Sequence, residues 1–553
     1  LGDVYKRQIQ RSFGVTELRC LKIGLRTADM RPDQGKPVSH LKINRLKSFL
    51  ESNEIEFHQK ILNRLEEDCS GATRAIPLRI FPRGRNEVKI VLKHLDENEI
   101  SFYPISMGKN YGFGAHLPVD DRSVLLDLSR INKISDFCPR SKTVRVEPGV
   151  SQEMLYRFLE EKHSEFRMDV TGSSIDSSVL GNLLEKGLAF RRPRRSSCLS
   201  LELLSLDGQI LETGARSFGE NYSKLGNFTT HIPGVELREI FLQSNFAVAL
   251  SARIRLEKKP EQESLLVCDV KEEQLGEYSE AIAILLEEGL ISALPRTANQ
   301  VRRGAVFSSE ASGPDAAWRS YFTIYGTKKI VSEKVKLVNE KLSECFSCFV
   351  YDSVDQLPDD QELKFVWNYY RGVPQNVALK NVCPDIKDDE KEVHGKVLRS
   401  GYAFFAYLLP VDRSMQKDFL NLISDIKKEF NFEAAVTLNL LDSHSMEAVV
   451  SFSFDKSSRE SVRLLENIRQ EIVSQIQKLG LLPYRLDIDS MKLYNRSDSC
   501  HKWIEGIKNI FDENRVISRG RYHSKDEDYE NNQVKDRKDC LLYTSDAADE
   551  RQS

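Results

Sequence analysis

The sequence lacks a long hydrophobic run and an excess of either charge. Its most apolar stretch, residues 403–411, is far too short to cross a bilayer. The 80 basic and 83 acidic residues leave a net charge of −3, which gives no overall attraction to nucleic acid or to an anionic membrane. No signal peptide is recognisable at the start. These absences predict a cytoplasmic globular protein that binds neither nucleic acid nor membrane.

The ten cysteines lack the spacing of a metal site. The single CxxC pair, Cys345 and Cys348, has no second pair and no histidine at a suitable distance, so we predict no bound metal. The sequence also lacks CxxCH, so any haem would belong to a partner. We interpret the cysteines as mostly reduced structural thiols, with a redox role for Cys345 and Cys348 as the alternative.

Residues 102–119, FYPISMGKNYGFGAHLPV, join a short apolar strand to a glycine-rich loop. The loop is not a Walker phosphate loop, because Asn110 follows Lys109 and no helical pattern begins there. It is not a Rossmann fingerprint either, because Leu117 stands where the third glycine belongs. Glycine permits positive φ, and consecutive backbone N–H groups can surround a pyrophosphate. The residues alone leave two interpretations, a tight turn and a diphosphate-binding loop.

The first half of the chain has the pattern of a mixed α/β unit. Residues 40–75 read as helical, and Asn86 is the expected N-cap of a helix with a buried stripe of valine and leucine. Strands are expected over 101–105, 123–128 and 143–149, and Ser151 is expected to cap the helix that follows.

The second half is patterned only beyond residue 400. Residues from about 260 to 400 are rich in charge and show little periodicity. After them come a strand at 403–411, a helix, two strands around the turn at 442–445, a long helix and a final strand. This order is that of the split βαβ, or ferredoxin-like, arrangement.

Five motifs in fixed order carry a resemblance to a known family. They are PISMGKNYGFGAHLPV (104–119), SVLLDLSRINKI (123–134), VRVEPGVSQEMLYRFLEE (144–161), SSVLGNLLEKGLAF (177–190) and IFLQSNFAVA (240–249). Together they resemble the FAD-binding domain of the para-cresol methylhydroxylase (PCMH) / vanillyl-alcohol oxidase family. The second half is similar to that family's cap domain. The segments LPYRLDIDSM (482–491) and IFDENRVISRGRY (510–522) are similar to its closing flavin-binding segment.

The resemblance implies an α+β fold in which a two-part FAD-binding PCMH-type domain carries a ferredoxin-like α+β cap domain. It divides the chain into an FAD-binding domain at 40–257, a cap at 258–480 and a C-terminal return at 481–523. We expect an N-terminal extension at 1–39 and a disordered tail at 524–553, whose outer ends resemble read-through of adapter sequence.

The resemblance also implies the cofactor, FAD, and the residues that bind it. They come from the glycine loop, a proline–glycine turn, a second loop and two strands. They are Ser106, Met107, Gly108, Lys109, Asn110, Tyr111, Gly112, Pro148, Gly149, Ser178, Gly181, Asn182, Val248 and Tyr402.

Catalytic roles fall on Tyr484, Arg485 and Tyr402 by the same resemblance. Tyr484 and Arg485 match a tyrosine–arginine pair that binds the family's substrate as a phenolate, and a guanidinium beside a phenolate lowers the pKa of the phenol. Tyr402 matches the position of a covalent flavin link, and the alternative is a tyrosine packed against the flavin without a bond.

The sequence departs from the family pattern at several positions. Phe113 replaces a phenolate-binding tyrosine, and Ser173 replaces an acidic residue, with Asp169 and Asp176 nearby. Ala247 stands where the family prefers glycine. Residues 190–198 carry four arginines, which we interpret as a solvated loop or as a site for an acidic substrate or partner.

The resemblance implies an FAD-dependent oxidase or dehydrogenase, similar to 4-cresol dehydrogenase and vanillyl-alcohol oxidase. It would transfer a hydride from an alkylphenol, an aromatic alcohol or a related hydroxyl compound to flavin. The alternatives are a non-phenolic hydroxy acid or sugar-like alcohol as substrate, and a flavin-binding protein that has lost catalysis. The expected partners are a small-molecule substrate and either oxygen or a separate electron acceptor such as a cytochrome, with a homodimer left open.

Overall fold

The computed structural model describes residues 38–59, 65–307, 317–382, 400–456 and 458–522. Within them, helices α1 to α12 are His40–Ser52, Arg85–Glu97, Gln152–Lys162, Val179–Leu184, Leu275–Glu287, Gln300–Phe307, Lys328–Leu342, Gln361–Tyr370, Val377–Val382, Arg413–Phe430, Arg459–Lys478 and Asp498–Phe511. Strands β1 to β11 are Phe57–His58, Leu65–Glu67, Thr73–Ala75, Arg79–Ile80, Phe102–Ile105, Val124–Asp127, Ile134–Cys138, Thr143–Val146, Phe166–Arg167, Cys198–Leu204 and Ile210–Glu212. Strands β12 to β21 are Val248–Arg255, Glu257–Lys258, Gln262–Val270, Arg296–Asn299, Trp318–Gly326, Ser347–Tyr351, Ser400–Pro410, Ala435–Leu440, Ser445–Asp455 and Leu482–Arg485. The expectations for residues 1–37 and 523–553 lie outside the described part of the chain.

Two larger sheets and two two-stranded ones, β2-β3 and β9-β13, build the described N-terminal half. The first has the order β1-β4-β6-β5, in which β6 runs parallel to both β4 and β5. Helices α1 and α2 cover it with apolar stripes, including the predicted Val88, Val91, Leu92 and Leu95, all fully buried. The second sheet is antiparallel, with the order β11-β10-β12-β8-β7. The α+β fold class is therefore confirmed.

The C-terminal segment returns to the first sheet, as predicted from residues 510–522. The amide of Phe102 donates to the carbonyl of Val516 at 2.8 Å, and the amide of Ser518 donates to the carbonyl of Phe102 at 2.8 Å. The glycine loop that follows β5 is thereby fixed against the end of the chain.

The second half is a single eight-stranded sheet with the order β17-β14-β16-β15-β19-β20-β18-β21. Its later half, β18-α10-β19 and β20-α11-β21, is the predicted ferredoxin-like unit. Its earlier half repeats that order as β14-α5-β15 and β16-α7-β17, and the two halves join where β15 pairs with β19. The region with little periodicity is thus a second unit of the same kind, which the sequence did not reveal.

The two faces of the eight-stranded sheet have different neighbours. Along β18, Ala403, Phe405 and Tyr407 pack into the core beneath the cap helices. Tyr402 belongs to the other core, which is shared with the N-terminal half, and Phe404 packs against it. Alternation along a strand therefore turns one side of the sheet toward the glycine loop.

Two local predictions in the first half are wrong. Residues 40–75 are not one helix, because α1 ends at Ser52 and the chain continues through β1, β2 and β3. Asn86 does not cap α2, since the N-cap is Gly84 and no side chain accepts a hydrogen bond there. The Ser151 cap is confirmed by a hydrogen bond of 3.1 Å from the amide of Met154 to Ser151 Oγ.

The arginine-rich segment at 190–198 is not a solvated loop. The side chain of Arg191 is fully buried, and its Nη1 lies 2.9 Å from Glu263 Oε1. Its Nε lies 2.8 Å from Glu257 Oε2, and Arg192 also contacts Glu257. Only Arg195 of the four arginines is exposed. The segment therefore joins the two halves through internal ion pairs, and this corrects the expectation that it receives an acidic substrate or partner.

One pair of cysteines also corrects the sequence interpretation. Cys348 does not pair with Cys345 but forms a disulfide with Cys268, its neighbour across β14 and β17. Cys345 is a free, exposed thiol.

Candidate active site

A cavity of about 410 Å³ lies where the eight-stranded sheet faces the glycine loop. The N-terminal half contributes the glycine loop, the segment from Thr171 to Phe190 and the turn before β12. The second half contributes β15, β18, β19 and β20 together with α6, α8 and α9. The cavity is therefore built jointly by the two halves of the chain.

The glycine loop presents a row of backbone donors to this cavity. Gly108 and Gly112 have φ values of +65° and +77°, a region that favours glycine. In the described part of the chain, the N–H groups of Met107, Gly108, Lys109 and Asn110 have no hydrogen-bond acceptor. Consecutive free amides of this kind form an anion-binding concavity, so the loop fits a cofactor diphosphate.

Lys109 adds a cationic side chain to the same wall. Burial lowers the pKa of Lys109, and attraction to Asp176 offsets part of that effect. A diphosphate beside Lys109 would place a counter-charge next to its half-buried ammonium and so stabilise the charged form.

Most of the predicted cofactor residues line the cavity, and some do not. Those that do are Ser106, Met107, Gly108, Lys109, Asn110, Tyr111, Ser178, Gly181 and Asn182. The cavity wall as described does not include Gly112, Pro148, Gly149, Val248 or Tyr402.

The residues outside the wall support it from behind. A Cβ at Gly112 would lie 2.1 Å from the ring of Phe404, so glycine lets the loop approach the sheet. A Cβ at Gly149 would lie 2.0 Å from the carbonyl of Ser129, and the carbonyl of Pro148 accepts a hydrogen bond from Ser178 at 2.6 Å. Val248 is buried in the N-terminal core, while its neighbours Ala247 and Ala249 line the cavity.

Arg485 and Tyr484 point in different directions because they are adjacent on β21. Arg485 lines the cavity, with its guanidinium 4.2 Å above the ring centre of Phe113 and Nη2 2.5 Å from Asn110 Oδ1. Its Nε is buried without a hydrogen-bond partner among the described residues. The hydroxyl of Tyr484 instead donates to the carbonyl of Lys186 at 2.6 Å, away from the cavity wall.

Three polar residues cross adjacent strands of the sheet in one row. Arg296 on β15 is paired with Asn439 on β19, and Asn439 is paired with Glu447 on β20. Arg296 Nη1 lies 3.3 Å from Asn439 Oδ1, and Asn439 Nδ2 donates to Glu447 Oε2 at 3.0 Å. All three line the cavity. Burial raises the pKa of Glu447, although Arg296, the Asn439 hydrogen bond and Arg485 oppose the shift.

Tyr402 lies behind the cavity wall. Its side chain is buried, its ring centre is 4.4 Å from that of Phe404, and its hydroxyl accepts a hydrogen bond from Arg302. Arg302 and Phe404 both line the cavity. The prediction that Tyr402 is linked to FAD stays a prediction.

The positions that depart from the family pattern have clear surroundings. Phe113 lines the cavity and stacks on Phe404 with ring centres 5.7 Å apart. Ser173 also lines it, and its hydroxyl lies 2.7 Å from that of Thr171. The carboxylate of Asp169 accepts hydrogen bonds from the backbone of Arg191 and Arg192. Asp169 is thus engaged in holding the arginine segment.

Sequence reasoning missed Arg296, Asn439 and Glu447. A signal existed, because Asn439 interrupts the apolar strand AVTLNL and Glu447 begins another apolar run. A charged residue in a buried strand is uncommon unless it is paired or functional. The missing information was the register, which brings these residues together across three strands.

In the described part of the chain, no helix is long and apolar enough to cross a membrane, and no group of His, Cys, Asp and Glu could hold a metal ion.

Comparison with known proteins agrees with the geometry. Residues 77–214 match the model of an FAD-binding domain family. The solved structure of p-cresol methylhydroxylase with substrate bound superimposes with a TM-score of 0.77 and 19% identity, over 88% of this chain and 98% of that one. The protein is an FAD-dependent oxidoreductase of the PCMH type.

Two curated relatives span nearly the whole flavoprotein. The 1'-carboxy-chondrochloren decarboxylase of Chondromyces crocatus is 23% identical over 81% of this chain and 91% of its own length. The 4-cresol dehydrogenase [hydroxylating] flavoprotein subunit of Pseudomonas putida is 21% identical over 86% of this chain and 92% of its own length. The cofactor, FAD, and the fold of the flavoprotein follow from these likenesses, whereas its substrate does not.

Replacing Gly108 in the flavoprotein tests the diphosphate-binding loop. Gly108→Ala is expected to weaken FAD binding about tenfold, because a Cβ at positive φ costs about 1–2 kcal/mol and moves the loop amides. The matched control is Gly289→Ala, which has the same kind of backbone (φ +69°) and open space around the new Cβ. Titration of each apoprotein with FAD measures the effect, and equal affinities for both variants would contradict the assignment.

Proposed function

We propose that this flavoprotein oxidises a small aromatic substrate that carries a hydroxyl group and is bound as its anion at Arg485. The observation that carries the proposal is the position of Arg485, which lies in the cavity wall and whose Nε has no hydrogen-bond partner among the described residues. A buried guanidinium stabilises a phenolate more strongly than water does, because the surroundings have a low dielectric constant.

Phe113 and Phe404 support an aromatic substrate. Their stacked rings and the guanidinium of Arg485 over Phe113 give the site a flat, apolar wall with one charged edge. Phe113 lacks the hydroxyl of the family's tyrosine, so Arg485 would hold the substrate oxygen without help from that position.

We propose that Glu447 accepts the hydroxyl proton of the substrate, which leaves the substrate oxygen as the anion that pairs with Arg485. Its carboxylate lines the cavity, and Asn439 holds one of its oxygens. Ser173 replaces the family's acid, and the two other acids of the cavity wall, Glu185 and Glu362, are paired with arginines. Glu447 is therefore the carboxylate best placed for this task. Arg296 and Asn439 would orient the carboxylate and stabilise its charge.

The bound FAD supplies the hydride acceptor. The loop amides from Met107 to Asn110 would hold its diphosphate, and the packing of Arg521 against Glu185 and Tyr103 closes the wall near the C-terminal return. Electrons would then leave to oxygen or to a separate carrier, and detection of hydrogen peroxide during turnover distinguishes the two.

The covalent link proposed for Tyr402 has a direct test. If Tyr402 is linked to FAD, acid precipitation of the wild type leaves the yellow colour in the pellet, and Tyr402→Phe releases it to the supernatant, because phenylalanine has no oxygen to form the bond. Tyr407→Phe, on the opposite face of β18, is the matched control and should keep the colour in the pellet. Release of colour from the wild type would show that Tyr402 packs near the flavin without a covalent bond to it.

A comparison of 4-ethylphenol with its methyl ether tests the proposed function. The two compounds present the same ring and the same ethyl group, but only the phenol can ionise and pair with Arg485. We expect oxidation of the phenol and none of the ether. Equal rates for both would show that no anion is required, and inactivity toward a panel of alkylphenols and aromatic alcohols would remove the phenolic substrate class.

A further inference from the structure

An apolar compartment occupies the part of the cavity formed by the cap helices. It is built where α6 packs against α8 and α9, and it holds no part of the glycine loop. Its side chains are those of Val306, Phe307, Phe365, Val366, Ala378 and Leu379. The rings of Phe307 and Phe365 meet with centres 4.9 Å apart. An apolar space of this kind receives a hydrocarbon part of a ligand.

Two adjacent arginines on α6 line the cavity beside this compartment. Among the described residues, only one of them is paired with a carboxylate. Arg303 is buried, and Glu362 neutralises it with hydrogen bonds of 2.8 and 3.0 Å. Arg302 is half-buried, and its side chain bonds only to the uncharged hydroxyl of Tyr402 among the described residues. No carboxylate of the described chain lies within 4 Å of Arg302. Its Nε and Nη2 thus have no acceptor among the described residues.

The charges around the whole cavity also favour an anionic substrate. Among the described residues, six basic side chains line it, and they are Lys109, Arg296, Arg302, Arg303, Arg485 and Arg521. Three acidic side chains of the same residues line it, and they are Glu185, Glu362 and Glu447. The diphosphate of FAD brings two negative charges, which leaves the cavity with one positive charge in excess. A substrate with at least one anionic group would balance it.

We propose that Arg302 forms a carboxylate-binding subsite, so that the substrate is an aromatic carboxylic acid. The proposal rests on the proposed function and specifies its substrate class. The guanidinium keeps Nη1 on Tyr402, and Nε and Nη2 form the planar fork that binds both oxygens of a carboxylate. Val306 lies one turn after Arg302 on α6, so an apolar linker between ring and carboxylate would contact the compartment.

A series of acids and esters tests the subsite by binding. The probes are 4-hydroxybenzoate, 4-hydroxyphenylacetate and 3-(4-hydroxyphenyl)propanoate, each beside its methyl ester. Binding to the FAD-loaded protein is followed by the change that each probe causes in the flavin absorbance, without turnover. We expect at least one acid to bind about tenfold more tightly than its ester, which is the range of a charge-assisted pair.

Variants of Arg302 test whether this side chain causes the tighter binding of the acid than of its ester. Arg302→Gln should bring the ratio of acid to ester affinity close to one, and Arg302→Lys should keep part of it. Arg195→Gln, which changes an exposed arginine outside the cavity, should leave it unchanged. Acids that bind no more tightly than their esters to the wild type would overturn the proposal, and this result needs no variant to fold. An unchanged ratio in Arg302→Gln would also overturn it.

Failure of the subsite and failure of the proposed function give different results. If 4-ethylphenol is oxidised but no acid is preferred, only the subsite is wrong. If no phenol reduces the flavin, the proposed function is wrong, whatever the binding ratios are.

Discussion

Glu447→Gln is expected to lower kcat with a phenolic or aromatic-alcohol substrate by about 10²–10⁴-fold, the usual contribution of a general base. The amide keeps the size of the side chain and an oxygen that can accept from Asn439, but it cannot take a proton. Glu447→Asp should recover part of the activity, because it retains a carboxylate at a longer distance. The measurement is single-turnover reduction of the flavin at saturating substrate.

The pH dependence distinguishes a base from a structural carboxylate. A base must be deprotonated, so activity should rise with pH through the pKa of Glu447, which burial raises above its ordinary value of 4.5. This rise in activity with pH, the acidic limb of the profile, should disappear in Glu447→Gln. Glu429→Gln, at an exposed position on α10, is the control and should keep both the rate and the limb. A wild-type profile preserved in Glu447→Gln would exclude Glu447 as the proton acceptor.

Arg485→Ala is the second variant for which a large loss is expected. Removing the guanidinium should cost on the order of 2–4 kcal/mol of transition-state stabilisation, seen as a fall in kcat/KM for a phenolic or carboxylate substrate. The loss arises because the developing or bound negative charge then lies in a buried site without a counter-charge.

Two observations separate this effect from damage to the loop. Arg485 also contacts Asn110, so the flavin content of the variant must equal that of the wild type for the comparison to hold. Arg485→Lys should retain part of the activity, because it keeps the charge but not the planar fork. Arg195→Ala serves as the exposed control. A kcat/KM within error of the wild type would remove Arg485 from the site.

Local patterns were sufficient to predict the elements whose residues are neighbours in sequence. The glycine loop needs only a strand, glycines at positive φ and free amides, and all of these lie between Phe102 and Gly112. The later ferredoxin-like unit was predicted because each of its helices has a regular apolar face. The N-cap at Ser151 was also predicted from local sequence, because a serine directly before a helical segment commonly caps it.

Features that depend on distant contacts could not be predicted in this way. The earlier half of the eight-stranded sheet includes β15 and β17, which are short and only partly buried, so their sequences lack a strong apolar alternation. The arginines at 190–198 looked like a surface loop because their partners, Glu257 and Glu263, lie more than 60 residues later in the chain. Charge in a sequence does not reveal whether a partner is present elsewhere.

The row of Arg296, Asn439 and Glu447 illustrates the same limit at the site. Asn439 and Glu447 each stand out in an apolar strand, but the row exists only because β15 pairs with β19 and β19 pairs with β20. Arg485 lines the cavity and Tyr484 does not, since adjacent residues of a strand face opposite sides, and their catalytic roles stay predictions.

The central claim is that the cavity binds FAD and reduces it with an aromatic hydroxyl compound. The most direct test is to mix the FAD-loaded protein with 4-ethylphenol in the absence of oxygen and of any added acceptor, and to follow the visible absorbance of the flavin. The account predicts that the yellow colour bleaches with the phenol and persists with its methyl ether. A flavin that stays oxidised with a range of alkylphenols and aromatic alcohols, or a protein that cannot bind FAD, would contradict it.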